Sequence, residues 1–141
     1  ARIQIPVDIP TEYEFSFSFT KKSGTNAVVA FLPHPKGQVM LQLGWAGCAG
    51  FELIDGKRSN ANDSTTRWGI KVGQKYDVLV KVHKKRIESY IDGKLTSAFN
   101  ISDNTVLGPH PASRMKDPSR LGLGADNSEV VFHDASISPA K

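Results

Sequence analysis

The sequence predicts an all-β protein built as a two-sheet antiparallel β-sandwich. Short segments throughout the chain alternate apolar and polar side chains, which is the period of a strand with one buried face. Turn residues such as Gly, Pro, Asn and Asp separate these segments, and no long stretch has the spacing of an amphipathic helix. Many short strands without helices are typical of a sandwich or a barrel.

The strongest strand signal is the stretch from Lys75 to Leu95, which predicts two strands joined by a charged turn. Its apolar side chains recur at every second position, and the Asp92-Gly93 pair predicts a second turn after them. The residues expected on the buried face are Tyr76, Val78, Val80, Val82, Ile87, Ser89 and Ile91. We expect the rest of the protein to pack around this hairpin.

The amino-terminal part predicts an edge strand and a core strand. Residues 2–7 form a short alternating segment interrupted by Pro6, which suits the edge of a sheet. Residues 12–20 predict a strand with four aromatic rings on one face, each worth roughly 1.5–3 kcal/mol when fully buried. These rings belong to Tyr13, Phe15, Phe17 and Phe19. Residues 21–26 are expected to form a loop.

The central part predicts a hairpin over residues 27–44, whose first strand is a continuous apolar run ended by Pro33. A glycine-rich connection over 45–50 and a strand over 51–56 are expected next. Residues 57–69 are polar and predict a long surface loop. The remaining predictions are strands over 95–101, 120–126 and 128–138, with an irregular proline-containing segment over 102–118.

Composition indicates one globular domain of ordinary character. The 141 residues suit a single core, and the net charge of +4 comes from scattered Lys and Arg residues rather than from one basic face. We therefore expect no nucleic-acid partner. No apolar run is long enough to span a bilayer, and Cys48 has no partner for an internal disulfide. The chain begins at Ala1 without a signal-peptide pattern, so we expect a domain excised from a larger protein, with neighbouring domains as further partners.

The run from Trp68 to Leu95, WGIKVGQKYDVLVKVHKKRIESYIDGKL, resembles the closing half of concanavalin A-like jelly-roll domains. It is most similar to laminin-G-like domains and to the bacterial family named for 3-keto-disaccharide hydrolases. The LGLG of residues 121–124 and the strand from Val130 to Ile137 extend the resemblance. It implies a jelly roll, commonly extracytoplasmic, that binds glycans. Hydrolase-like members begin with an L-F-N-G segment, whereas this chain begins ARIQIPV.

The loop of residues 55–68, together with the glycine-rich segment before it, predicts a carbohydrate-binding surface. Aromatic rings stack on sugars, and planar or forked polar groups bind vicinal hydroxyls. The candidate ligand-binding residues are Trp45, Asp55, Arg58, Asn60, Asn62, Asp63, Arg67 and Trp68. For any single one of these residues, a purely structural role is the alternative.

Other chemistry has weaker support in the sequence. Asp126, Asn127 and Glu129 are the candidates for a calcium site, because oxygen ligands suit that ion, although such residues also build ordinary turns. Zinc-binding histidine spacing, a G-x-S-x-G nucleophile motif and the carboxylate pattern of jelly-roll glucanases are absent. The sequence thus favours a non-catalytic carbohydrate-binding module without a cofactor. A 3-keto-disaccharide-type hydrolase and a protein-interaction domain are the alternatives.

Overall fold

The computed structural model describes residues 2–108, 115 and 117–141. Those residues form eleven strands. In chain order the strands are β1 (Arg2–Ile5), β2 (Tyr13–Gly24), β3 (Val28–His34), β4 (Gly37–Trp45), β5 (Cys48–Glu52), β6 (Thr66–Arg67), β7 (Lys75–Val82), β8 (Arg86–Ile91), β9 (Lys94–Asn100), β10 (Leu121–Ala125) and β11 (Ser128–Pro139).

The strands form two antiparallel sheets. One sheet has six strands in the order β1-β10-β3-β4-β5-β6, and the other has five in the order β11-β2-β7-β8-β9. The predicted hairpins are present as β3–β4 and β7–β8. The all-β sandwich predicted from the alternating pattern is therefore confirmed. Each sheet has an inner face toward the other sheet and an outer face away from it.

The core lies between the inner faces, as the alternation predicts. The four aromatic residues of β2 are at most 2% exposed, and the apolar residues of β7 pack against them. The Phe19 and Tyr76 rings stack with centroids 5.4 Å apart. The Tyr13 hydroxyl donates a 2.7 Å hydrogen bond to the Pro33 carbonyl, which joins the two sheets, and burial raises the pKa of this phenol.

Two predicted elements had wrong boundaries because long-range strand pairing extends or moves them. The predicted loop over 21–26 is a strand as far as Gly24, since Ser23 and Gly24 pair with β11. The predicted strand over 51–56 instead begins at Cys48, within the glycine-rich connection, because β4 and β6 both pair with it. The strand ends at Glu52, and Asp55 and Gly56 form a turn beyond it, with positive φ angles of 51° and 75°.

The predicted surface loop over 57–69 contains the two-residue strand β6. The irregular segment predicted over 102–118 is described only in part, because residues 109–114 and 116 lie outside the described residues. In its described portion, Leu107 forms an isolated bridge with Ile54 and joins the core. Within the described residues, no helix is long and apolar enough to cross a membrane.

Candidate functional site

On the outer face of the six-stranded sheet, both polar and apolar side chains are buried. Strand alternation points Val39, Leu41 and Leu43 of β4 into the core and turns the intervening residues outward. Four of the outward residues of β4 and β5 are nevertheless buried: Gln38, Met40, Gln42 and Glu52. Polar side chains buried on the outer face of a sheet require partners, and residues beyond the strands supply them.

One half of this face is apolar. A cluster of buried side chains lies there, consisting of Ala27, Val29, Phe31, Met40 and Met115. The Trp45 ring packs against this cluster from the end of β4. Met115 can approach because β10 presents Gly122 below it. A Cβ atom at Gly122 would lie 2.7 Å from the Met115 Cε.

The other half is polar and centres on Glu52, whose side chain is completely buried. Its Oε1 accepts a 2.5 Å hydrogen bond from Arg58 Nε and a 3.2 Å bond from the Ser59 backbone N–H. Beside this pair, the Ser59 hydroxyl donates a 2.5 Å bond to Oε1 of Gln42. Because a buried carboxylate is strongly unfavourable without compensation, Arg58 is the cation that stabilises Glu52 at this position.

Arg58 joins the two halves. Its guanidinium carbon lies 4.2 Å from the centroid of the Trp45 ring, so a cation–π contact accompanies the ion pair with Glu52. The Arg58 side chain is still 42% exposed. Its Nε and Nη2 atoms donate to Glu52, while Nη1 donates to no described residue. The result is a planar group held by Glu52 and Trp45, whose Nη1 donor is bonded to none of the described residues.

The loop that carries Arg58 is fixed by hydrogen bonds of Asn62. Its Nδ2 donates to the carbonyl oxygens of Phe51 and Arg58 at 2.8 and 2.9 Å, and its Oδ1 accepts from the Ser64 N–H at 2.9 Å. Gly50 permits this close packing, since a Cβ atom there would lie 2.5 Å from the Ser59 carbonyl oxygen. Asn62, predicted as a ligand-binding residue, therefore holds the loop in place in this structure.

The structure brings two of the predicted residues, Trp45 and Arg58, into contact. Trp68 lies elsewhere: its ring packs against the core and meets Tyr76 edge-on, with centroids 5.2 Å apart. Asp55 accepts a 2.8 Å bond from the Val106 N–H. The other three predicted residues, Asn60, Asp63 and Arg67, have exposed side chains.

Sequence reasoning missed Glu52, Gln42 and Ser59. A usable signal was present for Glu52, because a charged residue in the apolar FELI segment alternates with Phe51 and must face away from the core. Nothing local in the sequence indicates that Arg58, six residues later, returns over that carboxylate.

Two calcium candidates, Asp126 and Asn127, form the turn between β10 and β11, and the third, Glu129, lies in β11. Asn127 has a positive φ of 43°, its carbonyl oxygen is packed beside Gly24, and the Asp126 N–H donates to the Ala27 carbonyl. Among the described residues, no group of three or more His, Cys, Asp and Glu side chains could hold a metal ion. The calcium site stays a prediction.

Comparison with known proteins identifies the fold. No protein-family model and no curated protein sequence matches the chain, so membership in the laminin-G-like or 3-keto-disaccharide hydrolase families also stays a prediction. Solved structures do match. The chain is similar to the carbohydrate-binding module CBM66 from Bacillus subtilis, with a TM-score of 0.68, 16% identity, and coverage of 96% of this chain and 80% of that one.

Two further matches have the same architecture. The galectin LEC-6 of Caenorhabditis elegans matches with a TM-score of 0.65 and 13% identity, over 96% of this chain and 89% of that one. Domain 4 of AbnA, an extracellular arabinanase from Geobacillus stearothermophilus solved in complex with arabinotriose, matches with a TM-score of 0.63 and 16% identity. That match covers 99% of this chain and 66% of that chain. At such identities the matches establish a jelly-roll β-sandwich fold.

Proposed function

We propose that this protein is a non-catalytic carbohydrate-binding module and that its saccharide site is the Arg58 surface. We define the Arg58 surface as Arg58 with Trp45, Glu52, Gln42 and Ser59 on the outer face of the six-stranded sheet. The observation that carries the proposal is the stacking of a partly exposed guanidinium on Trp45 above a buried carboxylate. Its fold is shared with structures described as a carbohydrate-binding module and as galectins, which adds support.

The chemistry of this surface suits a sugar. A hexose presents a C–H face and a rim of vicinal hydroxyl groups. The exposed parts of the stacked guanidinium and indole offer a flat contact for the C–H face, and Arg58 Nη1 offers a donor to a hydroxyl oxygen. Glu52 neutralises the guanidinium and fixes its rotamer, so binding loses little side-chain entropy.

We further propose that the module works outside the cytoplasm as part of a larger protein and needs no cofactor. Its resemblance to laminin-G-like domains supports the first point. The second follows from the proposed mode of binding, in which the Arg58 guanidinium and the Trp45 ring contact the sugar directly.

The test is an array of neutral and uronic oligosaccharides that includes arabinotriose, followed by titration of each saccharide that binds. Arg58→Ala is expected to weaken binding about tenfold or more, because a lost hydrogen bond to a charged donor is worth about 1.5–3 kcal/mol. Lys57→Ala is the matched control, since this neighbouring side chain is an exposed cation.

Unchanged affinity in the Arg58→Ala protein would contradict the proposed site, and an array without any bound saccharide would contradict the proposed function. Turnover of a 3-keto-glycoside by the purified protein would establish the hydrolase alternative instead.

A further inference from the structure

An apolar row crosses the outer face of the five-stranded sheet, on the opposite side of the sandwich from the Arg58 surface. In the strand register, Leu79 lies opposite Tyr90, and Tyr90 lies opposite Leu95. We call these three residues the Tyr90 row. The other outward-facing residues of β7 and β8 are all charged: Lys75, Asp77, Lys81, Arg86 and Glu88. Leu95 is 48% exposed, so burial in the core does not explain why apolar residues stand in this row.

A cavity lies beside the Tyr90 row on the surface of the sheet. This cavity of about 420 Å³ is lined by Leu79 and Tyr90 and by the polar side chains of Ser16, Asp77 and Lys81. This volume lies in the range of sites that hold small molecules. Ser16 continues the row across β2, because it lies opposite Leu79.

Polar groups lie over and beside the Tyr90 ring. The Lys81 ammonium lies 5.1 Å from the centroid of the Tyr90 ring, and the Tyr90 hydroxyl donates a 3.3 Å bond to Glu88 Oε1. The Ser18 hydroxyl donates a 2.7 Å bond to Asp77 Oδ1, while no described residue donates to Asp77 Oδ2. A ligand lying on the ring would meet one ammonium donor and one free carboxylate acceptor.

We propose that the Tyr90 row is a second saccharide-binding site, selective for neutral sugars. An aromatic ring bordered by a donor, an acceptor and a serine hydroxyl fits a hexose, which requires both kinds of partner for its hydroxyl groups. Asp77 lines the same cavity as Lys81, and Glu88 lies opposite Lys81 in the strand register, so these two carboxylates disfavour an anionic uronate.

The two sites act independently. Facing sheets pack about 10 Å apart and the sites lie on opposite outer faces, so one sugar ring cannot touch both. The inference therefore goes beyond the proposed function, and it makes the module bivalent.

The experiment titrates lactose, maltose and cellobiose, each to millimolar concentration, and follows backbone amide signals by proton–nitrogen NMR. At least one disaccharide is expected to shift amides of β7 and β8 around Leu79 and Tyr90. Digalacturonate is expected not to shift them. Tyr90→Ala should weaken this binding about tenfold or more, which corresponds to about 1.4 kcal/mol or more. Lys75→Ala, an exposed change on the neighbouring strand β7 outside the cavity, should not weaken it.

Asp77→Asn is a second variant whose folding is not in question, because Asp77 is exposed and asparagine keeps an acceptor for Ser18. It is expected to weaken binding several-fold. The proposal would be overturned if none of the three disaccharides shifts amides of β7 and β8. It would also be overturned if the Tyr90→Ala protein bound the disaccharide with the same affinity as the wild type. Shifts confined to β4 and β5 would uphold the Arg58 surface and refute this second site, whereas shifts confined to β7 and β8 would support the second site and leave the Arg58 surface to be tested by the array.

Discussion

Removing the Arg58 guanidinium is expected to destabilise the protein through Glu52. The Glu52 carboxylate has no exposed surface, and Arg58 is the only cationic side chain that contacts it among the described residues. Breaking a fully buried ion pair from one side costs about 3–5 kcal/mol, because the remaining charge has lost its compensation. Arg58 is 42% exposed, and the Ser59 N–H would remain. We therefore expect Arg58→Ala to lower the free energy of unfolding by about 2–3 kcal/mol.

A double-mutant cycle isolates the pair. Glu52→Gln removes the charge and keeps an oxygen acceptor, so its expected cost is smaller, about 1 kcal/mol. In the Glu52→Gln background, Arg58→Ala should cost at least about 1 kcal/mol less than in the wild type, since no buried charge is then left behind.

The assay is urea unfolding followed by tryptophan fluorescence. With a slope of about 2 kcal/mol per molar urea, Arg58→Ala should lower the midpoint by about 1 M. Lys57→Ala should move it by less than about 0.3 M, as expected for an exposed side chain. Equal effects of Arg58→Ala in both backgrounds would refute the idea that Glu52 and Arg58 stabilise each other.

The remaining predictions concern the core, the loop, a buried histidine and calcium. Phe15→Ala should lower the free energy of unfolding by about 3–5 kcal/mol, whereas Val72→Ala, at an exposed position, should change it by less than about 0.5 kcal/mol; comparable midpoints would contradict the core assignment. Gly50→Ala should lower the melting temperature, because its Cβ would strike the Ser59 carbonyl oxygen, while Gly69→Ala meets no atom within 4 Å and serves as the control. Burial lowers the pKa of His34 from 6.5, so neutral His34 stabilises the fold above that pH and the stabilisation declines as the pH falls below it. The wild type should therefore lose stability as the pH falls below about 6.5, and His34→Gln should lose less; parallel pH profiles would argue against this. Millimolar calcium should leave the melting temperature unchanged, and a calcium-dependent rise would instead support a site at Asp126, Asn127 and Glu129.

The sequence by itself determined which residues face the core. Apolar alternation in 12–20 and 75–91 places the aromatic residues of β2 and the valines of β7 on inner faces, and the structure confirms this. The physical reason is local, because successive side chains of a strand point to opposite faces wherever the strand lies in the sheet. The same rule predicts both central hairpins, since their turns lie between adjacent strands in the chain.

Only the tertiary structure decided which polar residues meet. Trp45 and Trp68 are alike in the sequence as candidate stacking residues, yet one ring lies beneath Arg58 and the other packs on Tyr76. Strand β5 pairs with β4 and β6, and this pairing sets where the Arg58 loop crosses the sheet and which carboxylate lies below it. Such contacts depend on strand order and on backbone hydrogen bonds between distant segments. Local apolar periodicity predicts neither of these.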